Sequence, residues 1–189
     1  YIDSCIKIQY MFPRAHAVAY VMMSFRMAWY KVYYPQEFYA THFTSVVSDF
    51  DADTILKGAK ACIDRIDEIN AMGDNAPPKA KAQILVLEVA YEMYSRGYEF
   101  KKPELGKSRA LRFWTDEGKV ILPFVALEGV GDTAAKAFVE AYNEKPFETV
   151  EEAVNRAKLN KTAVEALRSY GVFEGLPETD QLSFFTMGL

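Results

Sequence analysis

Leu127-Glu128-Gly129-Val130-Gly131-Asp132-Thr133-Ala134-Ala135-Lys136 has the form apolar-x-Gly-apolar-Gly-x-x-x-Ala-Lys, and its reading decides the second half of the fold. A residue without a Cβ lets a loop turn tightly and brings backbone N–H groups to the surface. The helix predicted next, with Ala134, Ala135, Phe138, Val139 and Tyr142 inward, starts where those N–H groups point. The pattern is that of a hairpin between two helices. Gly129, Val130, Gly131, Thr133 and Lys136 are its candidate contacts to a DNA phosphate, with Lys136 adding a point charge one turn in. Such contacts position a duplex without reading its sequence. A turn that binds nothing has the same five-residue pattern, so the surroundings must decide.

Working outward, Thr149-Val150-Glu151-Glu152 reads as a capping box that opens another short helix. Asn160 is the predicted cap of a further helix ending at Gly171. This second pair lacks a Gly-x-Gly and is expected to be a packing partner; its presence favours DNA binding by the first. Before the hairpin, Tyr98-Glu99-Phe100 and Ala110-Leu111-Arg112-Phe113-Trp114 read as short strands, and Asp116-Glu117-Gly118 as a turn into Val120-Ile121-Leu122.

The first half is helical. Ala17, Val21, Ser24/Phe25, Ala28 and Val32 predict a helix with one wide buried face, stopped by Pro35. A second helical stretch runs from Pro35 through Phe43. Asp51 or Asp53 is placed to cap a third, with the stripe Ile55, Ala59, Cys62/Ile63, Ile66 and Ile69. A fourth spans 79–96 with Ile84, Leu87, Tyr91 and Tyr94 on one side and Val86 and Val89 beside them. The expected fold class is therefore mainly α with a small β element (α+β). Its divisions are a helical region over 1–97, a small β connector over 98–123, the hairpin domain over 124–172 and an extended tail over 173–189.

Composition sets limits. Half of the 189 residues are hydrophobic and a quarter are charged, a globular balance with room for one core or two small ones. The formal net charge of −4 excludes a chain that simply coats nucleic acid. Residues 49–100 carry six bases against ten acids, whereas 101–170 carry twelve against eleven, so a nucleic-acid surface must be a local patch in the second half. Cys5 and Cys62 have neither metal-ligand nor disulfide spacing, which fits a reducing cytoplasm. Arg26 and Lys31 interrupt the apolar stretch 15–34, so no membrane span is expected. The chain opens at Tyr1 without an initiator Met, and a piece of something larger is the expectation.

Two other constellations suggest contacts. Gln181-Leu182-Ser183-Phe184-Phe185 lies in a polar, pattern-free tail, where two phenylalanines are costly to leave in water at ~25 cal/mol per Å². Either they enter apolar pockets on a partner, with the Gln181 amide anchoring the approach, or they fold back on the chain's own core. Tyr10-Met11-Phe12-Pro13-Arg14-Ala15-His16-Ala17 places Arg14 and His16 at a helix start, a place to hold a phosphate or merely to satisfy caps and acids.

Taken in order, these motifs resemble the PolC form of the bacterial DNA polymerase III α subunit. The similarity runs through Tyr1-Ile2-Asp3-Ser4-Cys5, Tyr10 to Ala17, Tyr30-Lys31-Val32-Tyr33-Tyr34-Pro35-Gln36-Glu37-Phe38-Tyr39-Ala40, Ser48-Asp49-Phe50-Asp51, Arg96-Gly97-Tyr98 and Phe124-Val125-Ala126-Leu127-Glu128-Gly129-Val130-Gly131. The terminal Gln181-Leu182-Ser183-Phe184-Phe185 sits where that family carries its clamp-binding peptide. The resemblance implies fingers in the first hundred residues, a domain gripping the primer–template duplex over about 120–172, and a tail that binds the β sliding clamp. It implies Arg14 and His16 near the incoming dNTP, although the family usually has Lys where Arg14 stands, which keeps the charge and changes the geometry. The tail ends in Phe184-Phe185 rather than the commoner Leu-Phe. The implied parent is a cytoplasmic, replisome-associated DNA-directed DNA polymerase that uses Mg²⁺. No palm-type aspartate cluster stands in this chain, so it is expected to bind no cofactor and to be inactive alone, relying on the remaining polymerase domains. Asp49, Asp51 and Asp53 are better read as caps. A stand-alone helix-hairpin-helix adaptor is the alternative.

Overall fold

A computed structural model describes residues 1–2, 6–7 and 13–179. It is mainly helical with one small sheet, the expected α+β class. Helix α1 runs over Arg14–Tyr33 and α2 over Pro35–Ser45, with Pro35 at the first helical position, where its missing N–H costs nothing. The wide buried face expected of α1 is absent: none of its twenty residues is buried. Tyr20, Val21, Met23, Phe25, Trp29 and Val32 are all exposed, on every side of the helix. A helix apolar all round needs cover from several directions, and the described residues supply it only at one end. There Lys31 Nζ lies 2.6 Å from Glu92 Oε2, and the Lys31 carbonyl accepts from Arg96.

Asp51 caps α3 (Ala52–Ile55), its carboxylate accepting from the Thr54 amide at 3.0 Å and the Thr54 hydroxyl at 2.7 Å. The single third helix expected is two, because Gly58, at φ +101°, breaks the ladder before α4 (Ala59–Ala71). Helix α5 (Pro78–Ser95) packs back on α4 and buries Ala80, Val86, Leu87, Ala90 and Met93. That face is rotated from the expected one, and Tyr91 is left largely outside. Cys62 is buried between these helices, and burial pushes its thiol up to about 11.

The sheet contains β1 (Phe100–Lys101), β2 (Trp114–Asp116) and β3 (Lys119–Ile121) in the order β1-β3-β2. Strand β3 pairs parallel with β1 and antiparallel with β2, in the register Thr115↔Val120. Glu117 and Gly118 turn the hairpin with φ +49° and +80°, the two positive values of a type I′ turn. The strand expected over 110–114 begins only at Trp114. Upstream of it, the Arg109 and Ala110 carbonyls accept from Phe124 and Val125, and the Phe113 N–H donates to Thr44 Oγ1 at 3.0 Å. Phe43, Phe50, Phe100 and Phe113 join this sheet to α2, with Phe50 and Phe113 centroids 4.8 Å apart.

After a 3₁₀ turn at Phe124–Ala126 come α6 (Asp132–Glu144), α7 (Val150–Ala157) and α8 (Lys161–Ser169). Phe138 of α6 meets Phe124 at 5.0 Å, Phe147 at 5.4 Å and Phe173 at 6.0 Å. These aromatics and those around Phe43 belong to one contiguous core. The box at α7 is half as expected. Thr149 Oγ1 accepts from the Glu152 amide at 3.0 Å, but Glu152 Oε2 accepts from the Glu148 N–H, one residue before the cap. That N–H holds the Glu152 carboxyl below the usual carboxylate range, with Arg156 adding to it. Thr149 is buried, so Thr149→Ala is expected to cost about 1 kcal/mol, measured as a shift in the urea unfolding midpoint. The folded body also reaches past residue 172. Phe173 is buried, and the Pro177 and Glu178 carbonyls accept from the Val150 and Glu151 N–H groups.

Candidate nucleic-acid interface

The two glycines of the hairpin do different jobs. Gly129 has φ +95°, and a Cβ there would stand 3.0 Å from Thr162 Cγ2 and 3.6 Å from Ala166 Cβ on α8. Its lack of a side chain is demanded by the turn and by close packing of the second helical pair on the first. Gly131 has φ −81° and ψ 164°, an ordinary extended N-cap, and a Cβ on it would meet nothing within 4 Å. The space in front of Gly131 is open, where a partner could approach.

Between them, Val130 is buried and its N–H donates to the Leu127 carbonyl, so it anchors the turn. Among the described residues, the N–H groups of Gly131, Asp132, Thr133 and Ala134 have no acceptor. They are the orphan donors of a helix start. Gly131, Thr133 and Lys136 are exposed beside them, and Lys136 makes no ion pair among the described residues. Glu128 and Asp132 flank the same turn. The pull on an anion must therefore come from the N–H groups, the helix dipole and Lys136 rather than from a broad basic field.

The packing-partner reading of the second pair is correct but incomplete. Lys158 is left-handed at φ +51°, Leu159 is buried, and Asn160 is extended at φ −79°, ψ 165°, capping α8 through the Ala163 amide at 2.8 Å. This repeats, residue for residue, the positive φ of Gly129, the burial of Val130 and the cap of Gly131. A lysine in a position glycine usually takes conceals the repeat in the sequence. The signal available was an apolar residue alone between a helix end and an Asn cap. Lys158 and Lys161 are exposed at this second turn.

The other expected residues lie elsewhere. Arg14 and His16 are exposed on the first turn of α1, where the His16 ring stands 4.4 Å from that of Tyr20. Gln181, Leu182, Ser183, Phe184 and Phe185 lie outside the described residues; the nearest described anchor is Glu178, paired with Arg168 at 2.7 and 3.0 Å. Asp51 is engaged as a cap, and Asp53 accepts the Tyr170 hydroxyl. Among the described residues no group of three or more His, Cys, Asp or Glu is placed to hold a metal ion. No helix among them is long and apolar enough to cross a membrane.

Residues 97–182 match a family model described as a helix-hairpin-helix motif. Over 185 residues, 98% of this chain, the sequence is 48% identical to a DNA polymerase III PolC-type of Clostridium perfringens, of which it covers 13%. The corresponding protein of Bacillus subtilis is 45% identical over the same share of both chains, and that of Thermotoga maritima 44%, with 14% of it covered. The chain thus spans about an eighth of the length of these relatives. Nearly all of it is similar to one short segment of PolC-type DNA polymerases III, and the later part of this chain matches a helix-hairpin-helix motif.

Proposed function

We propose that this chain supplies the fingers, the duplex grip and the clamp tether of a replicative DNA polymerase. The observation that carries the reading is the Gly131 turn: four N–H groups without an acceptor among the described residues, beside open space at Gly131, in a chain that is similar over 98% of its length to a PolC-type polymerase. A phosphate of the primer–template duplex sits at the start of α6, held by those N–H groups, the Thr133 hydroxyl and Lys136. The turn at 158–160 takes a second phosphate through the start of α8, with Lys158 and Lys161 beside it. Grip of this kind is indifferent to sequence, as an enzyme that moves along DNA requires.

The other roles follow from the polymerase reading. Arg14 and His16 face the phosphates of the incoming dNTP, with Mg²⁺ and its carboxylates supplied by the remaining domains. Those domains also cover α1, whose exposed Tyr20, Phe25 and Trp29 argue against a stand-alone adaptor. Gln181, Leu182, Ser183, Phe184 and Phe185 bind the β sliding clamp as an extended peptide. Deleting 181–185 is expected to lower the affinity of the chain for immobilised clamp at least about tenfold while leaving duplex binding unchanged. Clamp retention that survives the deletion would contradict the tether.

A further inference from the structure

Residues 101–112 hold Lys101, Lys102, Lys107, Arg109 and Arg112 against one acid, Glu104. The acids around this run are already taken. Lys101 Nζ lies 2.7 Å from Asp116 Oδ2, 3.0 Å from Glu104 Oε1 and 3.1 Å from Glu117 Oε2, and Lys107 lies 3.0 Å from Glu104 Oε2. Lys102, Arg109 and Arg112 are exposed and make no ion pair among the described residues, so the local field is positive although the whole chain is acidic.

The Arg109 guanidinium carbon lies 3.4 Å from the centroid of the Trp114 ring system, and Trp114 is still 46% exposed. Trp114 stands on β2, an edge of the sheet. Between β2 and α2 a cleft of about 650 Å³ is lined by Thr41, Thr44, Ser45, Arg112, Phe113 and Trp114, among others. That volume falls within the roughly 300–1,000 Å³ of small-ligand sites. Glu37 is the one acid on its wall. Every base offers a flat face to an aromatic ring, and arginines pair with phosphate.

We propose that the cleft between α2 and β2 binds an unpaired nucleotide of single-stranded DNA, its base stacked on Trp114 and its phosphate held by Arg109 and Arg112. The Thr41 hydroxyl and the Glu37 carboxylate line the cleft as hydrogen-bonding groups for the base edge, and the Ser45 hydroxyl, which donates to the His42 carbonyl, is left as an acceptor. The excess of unpaired cations around an exposed aromatic selects a nucleic acid over an apolar peptide. The site is separate from the hairpin, so each can fail without the other.

The chain has two tryptophans, so the Trp29→Phe chain reports Trp114 alone by fluorescence. Titration with a dT oligonucleotide is expected to quench this signal to saturation. In that background Arg109→Ala with Arg112→Ala should weaken dT binding at least about tenfold and leave affinity for a blunt duplex unchanged. Trp114→Leu, followed by dT anisotropy, should weaken it roughly five- to a hundredfold, the range for loss of one stacked base. The double-arginine variant decides the matter should Trp114→Leu fail to fold. Unquenched fluorescence, dT affinity unmoved by the double variant, or equal quenching by polyglutamate would overturn the proposal. So would loss of dT binding on Gly131→Asp, which would place the single strand on the hairpin.

Discussion

A Gly131→Asp chain is expected to unfold at the wild-type urea concentration and to bind duplex DNA about a hundredfold more weakly. The two halves of this result have separate causes. Gly131 has an ordinary negative φ, caps α6 and faces open space, so an aspartate there needs no strained backbone and is itself a preferred cap. Its carboxylate would, however, stand where the N–H groups of Gly131, Asp132, Thr133 and Ala134 are to receive a phosphate. Like charges set against each other across an interface cost several kcal/mol, and two factors of ten cost about 2.7 kcal/mol. Anisotropy of a labelled duplex measures the affinity, and urea unfolding checks the fold. Wild-type affinity with wild-type stability would reduce the motif to a turn between helices. Gly129 cannot serve in this way, because any side chain there is strained and meets Thr162.

Phe138→Ala is expected to lower stability by about 3–5 kcal/mol, a large share of the ~5–15 kcal/mol that holds most domains together. Phe138 is 1% exposed and touches an aromatic ring from each of three segments: Phe124 before the hairpin, Phe147 between α6 and α7, and Phe173 after α8. The cavity left by its ring would be bounded by rings fixed from three directions, which cannot all close on it. The hairpin and its repeat pack across this same core, so duplex binding should fall as the folded fraction falls. Urea unfolding followed by circular dichroism measures the effect. A loss below about 1 kcal/mol would mean that the aromatics do not hold the two helical pairs together.

The sequence made some of this legible and concealed the rest for physical reasons. Helix limits at Pro35, Asp51, Asn160 and Gly171 follow from local chemistry, because a missing N–H, a capping side chain and a positive φ act within a turn. The faces of α1 and α5 do not. Apolar residues lie all round both helices, so periodicity cannot choose a side, and the described residues cover α1 only at one end. Strand β2 starts later than expected because Thr44, sixty-nine residues away from Phe113 in sequence, takes the Phe113 N–H, a choice no local window contains. At the candidate interface, the Gly129-Val130-Gly131 pattern marks the turn between helices but conceals the different structural demands on its two glycines. The requirement at Gly129 comes from Thr162 and Ala166 of the second pair. The matching turn at Lys158 is hidden because a lysine at φ +51° leaves no mark in the sequence.

The duplex grip is tested most directly by the salt dependence of binding. Lys136, Lys158 and Lys161 are the cations placed at the two turns, and each phosphate neutralised contributes about −0.9 to the slope of log affinity against log salt. With one phosphate at each turn, a slope of about −2 is expected, equal for two duplexes of unrelated sequence, falling towards −1 on Lys136→Ala and towards zero when all three lysines are replaced. Absence of duplex binding at about 50 mM salt, or a slope untouched by the triple replacement, would contradict it.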